Sequence, residues 1–149
     1  STIGPLPAGT SPQAEGRFVL INTGANLGYA GGMNAGLRHA LAQGDADYTW
    51  VLNNDTTVAP DALAPLLARL QADPGIGICG STLIYADRPD EVQVWGGSAY
   101  DAWRARSRAL GAFTATARVP TDPAAVEAQM AYVVGAAMLV SRAFLERVG

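Results

Sequence analysis

Asn53-Asn54-Asp55, followed by Thr56 and Thr57, stands where an apolar run (Tyr48, Trp50, Val51, Leu52) breaks off. A carboxylate, two amides and two hydroxyls so placed supply the hard oxygens that Mg2+ or Mn2+ takes together with a substrate's phosphates. On this reading Asp55 is the metal ligand, Asn53 offers a carbonyl oxygen, and Thr56 or Thr57 a hydroxyl. The same residue types also make ordinary turns and helix caps, and taken singly that plainer reading is the stronger. A second stretch changes the balance. Residues 22–34, NTGANLGYAGGMN, carry Gly24, Gly28, Gly31 and Gly32, which let a backbone approach a bulky anion closely, with Asn26 and Asn34 adding side-chain donors. A helix expected to begin near Gly31 would point its amide-rich end at the same place. The spacing is not G-x-G-x-x-G, which speaks against a dinucleotide, and a glycine-rich turn without function is the alternative.

Three short apolar runs must position these groups. RFVLIN (17–22), YTWVLN (48–53) and IGICGS (76–81) read as buried strands bounded by turn signals. Between the first two, Met33, Leu37 and Leu41 recur every four residues and Gly44 supplies a stop, so a helix is expected there, with His39 on its solvated side. Between the second and third, Leu63, Leu66, Leu67 and Leu70 follow the i, i+3, i+4, i+7 pattern, and Pro65 predicts a late or kinked start. Strand, helix, strand, helix, strand implies βαβ units and a parallel sheet. Ligands of such sheets bind outside the carboxyl ends of the strands, so the two polar loops are expected to line one crevice.

The second half changes character. Residues 91–103 and 126–135 alternate and suggest antiparallel strands, 104–125 reads as a mobile Arg- and Ala-rich loop, AAMLVS (136–141) as a strand, and RAFLERV (142–148) as a short helix. Arg104, Arg106 and Arg108 beside Trp103 form a local positive cluster, better read as a solvated loop than as a phosphate clamp. DRPDE (87–91) reads as a solvated turn.

Composition narrows the chemistry. Of 149 residues, 49% are hydrophobic and 15% charged, enough for a folded domain with a core. No apolar run approaches the roughly 20 residues of a membrane span. The net charge of −3, with no basic stripe, argues against a nucleic-acid partner. All ten basic residues are Arg, which excludes a lysine-bearing phosphate loop and a Schiff-base lysine. The single cysteine, Cys79, reads as a small buried residue rather than a nucleophile.

Five stretches, in order, resemble the family 2 glycosyltransferases, especially their rhamnosyltransferase-like members: NLGYAGGMNAGL (26–37), ADYTWVLNNDTTVAPDAL (46–63), DPGIGICGSTLIY (73–85), WGG (95–97) and VVGAAMLVSRAFLERVG (133–149). The resemblance implies an α/β chain with the GT-A fold, a Rossmann-like, mostly parallel sheet with helices on both faces. It implies one domain over residues 1–149, incomplete at both ends. Asp55 then matches the metal-binding acid of a D-x-D-like motif, with Asn53 and Asn54 at its other positions, so one carboxylate stands where the usual motif has two. Asn26, Gly28, Gly31, Gly32 and Asn34 fall in the loop lying along the donor, and Trp95, Gly96, Gly97 and Gly135 in the region approaching the acceptor.

The implied reaction moves a sugar, with inversion and with Mg2+ or Mn2+, from a nucleotide-diphosphate donor (dTDP-rhamnose or a UDP-sugar) to a saccharide or lipid-linked saccharide. The family's nucleotide-reading first strands have no match here, and its catalytic Asp is expected beyond Gly149, so no catalytic base is assigned and this chain alone is expected to be inactive. The resemblance implies a cytoplasmic location, at or near the inner face of the membrane. Exposed sheet edges leave room for a homodimer. Two rivals stand beside this reading: a nucleotidyltransferase of related α/β fold, and a non-catalytic interaction module.

Overall fold

The computed structural model describes residues 18–149. They fall into two units, one ending at Gly44 and the other spanning Asp45–Gly149.

In the first unit, α1 (Gly28–Gln43) is terminated by Gly44 in the left-handed conformation. Between Gly28 and Gln43 there is no proline and no β-branched residue, so nothing interrupts the 3.6-residue repeat despite three internal glycines. The helix therefore starts three residues before the expected Gly31, and Gly31, Gly32 and Asn34 lie inside it rather than in a loop. The expected strand at 17–22 is not found over its described part: Phe18–Asn22 form no ladder and Phe18, Val19, Leu20 and Ile21 are exposed. An apolar run becomes a strand only by pairing its backbone, and this one finds no partner strand among the described residues.

The second unit opens with β1 (Tyr48–Leu52), α2 (Leu63–Ala72) and β2 (Ile78–Gly80). Two hairpin layers follow. One pairs β3 (Thr82–Tyr85) with β4 (Arg88–Trp95), and the other is built from β5 (Gly97–Asp101), β6 (Arg106–Ala109) and, later, β7 (Tyr132–Val133). A short helix α3 (Pro123–Glu127) precedes β7, and β8 (Ala137–Ser141) and α4 (Arg142–Val148) end the chain.

The main sheet has the order β1-β8-β2. Tyr48 through Leu52 pair with Ser141 through Ala137, and Ile78 through Gly80 with Val140 through Met138, both antiparallel. β1 and β2 therefore run in the same direction, as a βαβ unit requires, but β8 lies between them. The mostly parallel sheet expected from the strand and helix spacing is replaced, among the described residues, by one whose two ladders are both antiparallel. Hydrophobic periodicity reports which segments are strands and not their lateral order, and β8 comes almost sixty residues after β2.

Leu66 and Leu70 of α2 pack on Leu139 of β8, with Tyr48, Trp50, Leu67, Ile76 and Cys79 around them. The Leu63–Ala72 span begins late, with Pro65 in its first turn, where a missing N–H costs no helical hydrogen bond. The 104–125 stretch is not one loop. Arg106–Ala109 pair with Ser98–Asp101, because edge pairing uses only backbone groups and lets Arg106, Ser107 and Arg108 point to water. Asp101 organises the turn, its Oδ1 accepting from the Trp103 and Arg104 backbone N–H groups at 3.0 and 3.1 Å. The Arg104 guanidinium is paired with the same carboxylate, which leaves the expected positive cluster partly neutralised.

Candidate functional site

β1 ends in a tight turn. The Thr56 N–H donates to the Asn53 carbonyl oxygen at 3.2 Å, which puts Asn54 and Asp55 at its two corners. The Asn53 N–H in turn donates to the Ala136 carbonyl oxygen at 2.9 Å, fixing the turn to the residue that leads into β8. Asn54 and Asp55 are exposed, while Asn53 and Thr56 are half-buried. Among the described residues Asp55 forms no ion pair, so none of them neutralises its carboxylate. No three His, Cys, Asp or Glu side chains among them cluster as a metal centre. The turn therefore offers one carboxylate with amide and hydroxyl oxygens. That donor set fits Mg2+ or Mn2+, which fill their remaining positions with water and substrate phosphate.

Sequence-distant residues converge on the same sheet edge. On the other side of β8, the Ser81 N–H donates to the Ala137 carbonyl oxygen at 3.0 Å. Asn53 and Ser81 thus flank one strand, about 10 Å apart at two strand spacings. The Val134 N–H donates to the Gly96 carbonyl oxygen at 3.1 Å, so the Trp95-Gly96-Gly97 corner is tied to the segment holding Gly135. Gly80 and Gly96 meet backbone to backbone. A Cβ on Gly80 would overlap the Gly96 carbonyl oxygen, and one on Gly96, whose φ is +81°, would lie 2.8 Å from the Gly80 oxygen. Asn53, Asn54 and Asp55 are in this way brought into one neighbourhood with Gly96, Gly97 and Gly135, joined through residues 134–137. Trp95 pairs with Thr82 across β3 and β4, its ring lying against Gly111.

The glycine-rich stretch belongs to the first unit. Asn26 is engaged locally: its Oδ1 accepts from the Gly28 N–H at 2.9 Å, an Asx turn that starts α1, as Asn22 does for Gly24. Gly28, Gly32 and Asn34 are exposed and Gly31 is half-buried. Cys79 is half-buried with no disulfide, and burial pushes its thiol up from the ordinary value, as befits a packing residue.

Two features escaped the sequence reading. Arg69 of α2 and Glu127 of α3 form a two-pronged ion pair, Nε to Oε1 at 2.7 Å and Nη2 to Oε2 at 2.6 Å. The guanidinium hydrogen bonds hold the Glu127 carboxyl below its ordinary range. The partners are 58 residues apart, and only Arg69's place as the one charged residue of a mostly apolar helix hinted at it. Gly80, inside a strand, was the available sign of a close backbone approach.

The polar, carboxylate-bearing turn thus closes β1 beside a glycine-lined corner. The chain matches the Glycosyl transferase family 2 over residues 10–148, and it belongs to that family. Membership implies the GT-A fold. Among curated proteins, "Uncharacterized protein Mb1552" of Mycobacterium bovis and "Uncharacterized protein Rv1525" of Mycobacterium tuberculosis are each 48% identical over 54 residues. The matched segment covers 36% of this chain and 20% of each relative, so the chain matches about a fifth of their length. No solved structure gives a significant match.

Proposed function

We propose that this chain belongs to an inverting glycosyltransferase, rhamnosyltransferase-like, that transfers a sugar from a nucleotide diphosphate to a saccharide or lipid-linked saccharide in polysaccharide biosynthesis. The observation that carries the proposal is the fixed turn at the carboxyl end of β1, with Asp55 unpaired and Gly96, Gly97 and Gly135 beside it. The donor is a dTDP- or UDP-sugar. Asp55, with the Asn53 oxygen, would hold Mg2+ or Mn2+, which supplies positive charge to the departing diphosphate. Asn54, at the neighbouring corner of the turn, orients a donor oxygen. For the first unit by itself, the resemblance of residues 26–37 to the family supports Asn26, Gly28, Gly31, Gly32 and Asn34 as donor-binding residues.

An acceptor hydroxyl, lodged against Trp95, Gly96, Gly97 and Gly135, attacks the anomeric carbon. The new C–O bond forms as the bond to the diphosphate breaks, and the hydroxyl proton passes to a carboxylate base. Residues 1–149 belong to one GT-A domain. The protein works in the cytoplasm at the membrane's inner face, and the exposed sheet edge suits a homodimer. No helix among the described residues is long and apolar enough to cross a membrane.

Titration calorimetry with UDP, dTDP and GDP, with and without Mn2+, tests the donor site. Binding that needs Mn2+ and disappears in Asp55→Ala is expected. Equal binding by Asp55→Ala would refute the metal assignment.

A further inference from the structure

The turn between β5 and β6 displays the most exposed large hydrophobic side chain among the described residues. Trp103 is 99% exposed, while Trp50 and Trp95 are half-buried. An indole left wholly in water is uncommon, because it carries a large apolar area. The loop that displays it is firmly built. The Asp101 carboxylate accepts from the Trp103 and Arg104 backbone N–H groups and, at 2.9 Å, from the Arg104 guanidinium. Ala105 sits at φ +49°, a left-handed conformation that favours glycine. Strain held in place by its surroundings is a mark of working surfaces.

The same hairpin is positively charged. From Asp101 to Arg108 it carries one carboxylate and three guanidinium groups, a local +2 in a chain of net charge −3. Asp101 engages Arg104, and among the described residues Arg106 and Arg108 form no ion pair. These two alternate along β6, so they share one face of it, about 7 Å apart along the strand. Tyr100, 53% exposed, stands across from Ser107 on the other face. Every residue from 102 to 108 is exposed, so the tip encloses no small molecule. An apolar apex is buried by a soft surface, and flanking arginines are paired by an anionic one. A bilayer with anionic headgroups is both: Trp and Tyr settle at its interface, and arginine stems reach its phosphates. The headgroup layer on each side is roughly 5–8 Å deep, which matches the distance from Arg106 to Arg108.

We propose that the β5–β6 hairpin docks on an anionic lipid surface, Trp103 and Tyr100 entering the interface while Arg106 and Arg108 pair with lipid phosphates. The acidic excess lies elsewhere in the chain and is repelled by the same surface, so the contact also orients the protein, hairpin first. The inference deepens the membrane location proposed above. It needs neither metal nor nucleotide, so it and the transferase reading can fail separately.

The 149-residue chain is mixed with vesicles of phosphatidylcholine alone, and with vesicles containing roughly one-third phosphatidylglycerol. Co-sedimentation measures binding, and tryptophan emission with quenching by lipids brominated on their acyl chains measures insertion. Saturable binding to the anionic vesicles alone is expected, with a blue shift and quenching, and with release at roughly 0.5 M salt. Trp103→Ala should remove the shift and the quenching. Arg106→Gln combined with Arg108→Gln should weaken binding roughly 25-fold, about fivefold for each charge. All three positions are exposed, and circular dichroism checks that the variants fold. No binding at millimolar anionic lipid would overturn the proposal. Equal binding to neutral vesicles, or undiminished binding by the double arginine variant, would overturn it as well. A Trp103-dependent emission change with inorganic phosphate and no vesicle binding would assign the arginines to a soluble anion instead.

Discussion

Replacing Gly80 or Gly96 by alanine adds one methyl group at the point where the corner before β5 meets the end of β2, and the structure separates the two costs. At Gly80 the added Cβ would overlap the Gly96 carbonyl oxygen and crowd the Val133 side chain. The obstructing atom is backbone, so no rotamer change relieves it, and the penalty falls at the upper end of the roughly 1–3 kcal/mol of an overpacked site. At Gly96 the overlap is milder, 2.8 Å to the Gly80 oxygen, but φ of +81° adds about 1–2 kcal/mol for any residue with a Cβ. Each substitution is therefore expected to cost about 2–4 kcal/mol, against a total stability of roughly 5–15 kcal/mol. Urea unfolding followed by tryptophan fluorescence measures this, since Trp95 adjoins Gly96. Because the Gly96 carbonyl oxygen also accepts from the Val134 N–H, Mn2+-dependent nucleotide binding should weaken in whichever variant still folds. A loss under about 1 kcal/mol in both variants would refute the close approach, and with it the claim that this corner shares a neighbourhood with the Asp55 turn.

Three further outcomes follow from particular contacts. Leu139 is 1% exposed at the centre of the α2–β8 cluster, so Leu139→Ala should cost about 2–5 kcal/mol by chemical denaturation. Glu127 is held below its ordinary value of 4.5 by Arg69, so the unfolded chain takes up this proton first as the pH falls. The pair's contribution, about 0.5–1 kcal/mol after allowance for solvent at these partly exposed side chains, should be complete above pH 4.5 and fade below it, and Glu127→Gln should remove that part of the stability–pH curve. Gly32 is exposed inside α1 with open space where a Cβ would go, so Gly32→Ala should stabilise the helix by about 0.5–1 kcal/mol while weakening nucleotide binding. A variant that gains stability with unchanged affinity would remove Gly32 from the donor site.

The sequence reading recovered local structure well and lateral order poorly, for physical reasons. Tyr48–Leu52, Leu63–Ala72, Ile78–Gly80, Ala137–Ser141 and Arg142–Val148 all sit where periodicity and turn residues put them, because those signals act within one element. The place of β8 between β1 and β2 depends on pairings across nearly sixty residues, which no window of sequence contains. Phe18–Ile21 had strand-like composition and lacked a ladder, the reverse of Arg106–Ala109, which had polar composition and found one. The polar turn at Asn53–Asp55 was legible because an abrupt change from apolar to polar at a strand end is local. The gathering of Gly80, Gly96 and Gly135 around it was not, since it rests on backbone contacts between distant segments.

The most direct test of the account is to locate the metal. In the 15N-labelled chain with UDP or dTDP present, Mn2+ should first broaden the amide signals of Asn54, Asp55 and Thr56, then those of Gly80, Ser81 and residues 134–137, leaving α4 sharp. Asp55→Ala should abolish that pattern. Broadening centred elsewhere, or the same broadening in Asp55→Ala, would contradict the claim that the turn at the end of β1 holds the metal and the donor's diphosphate.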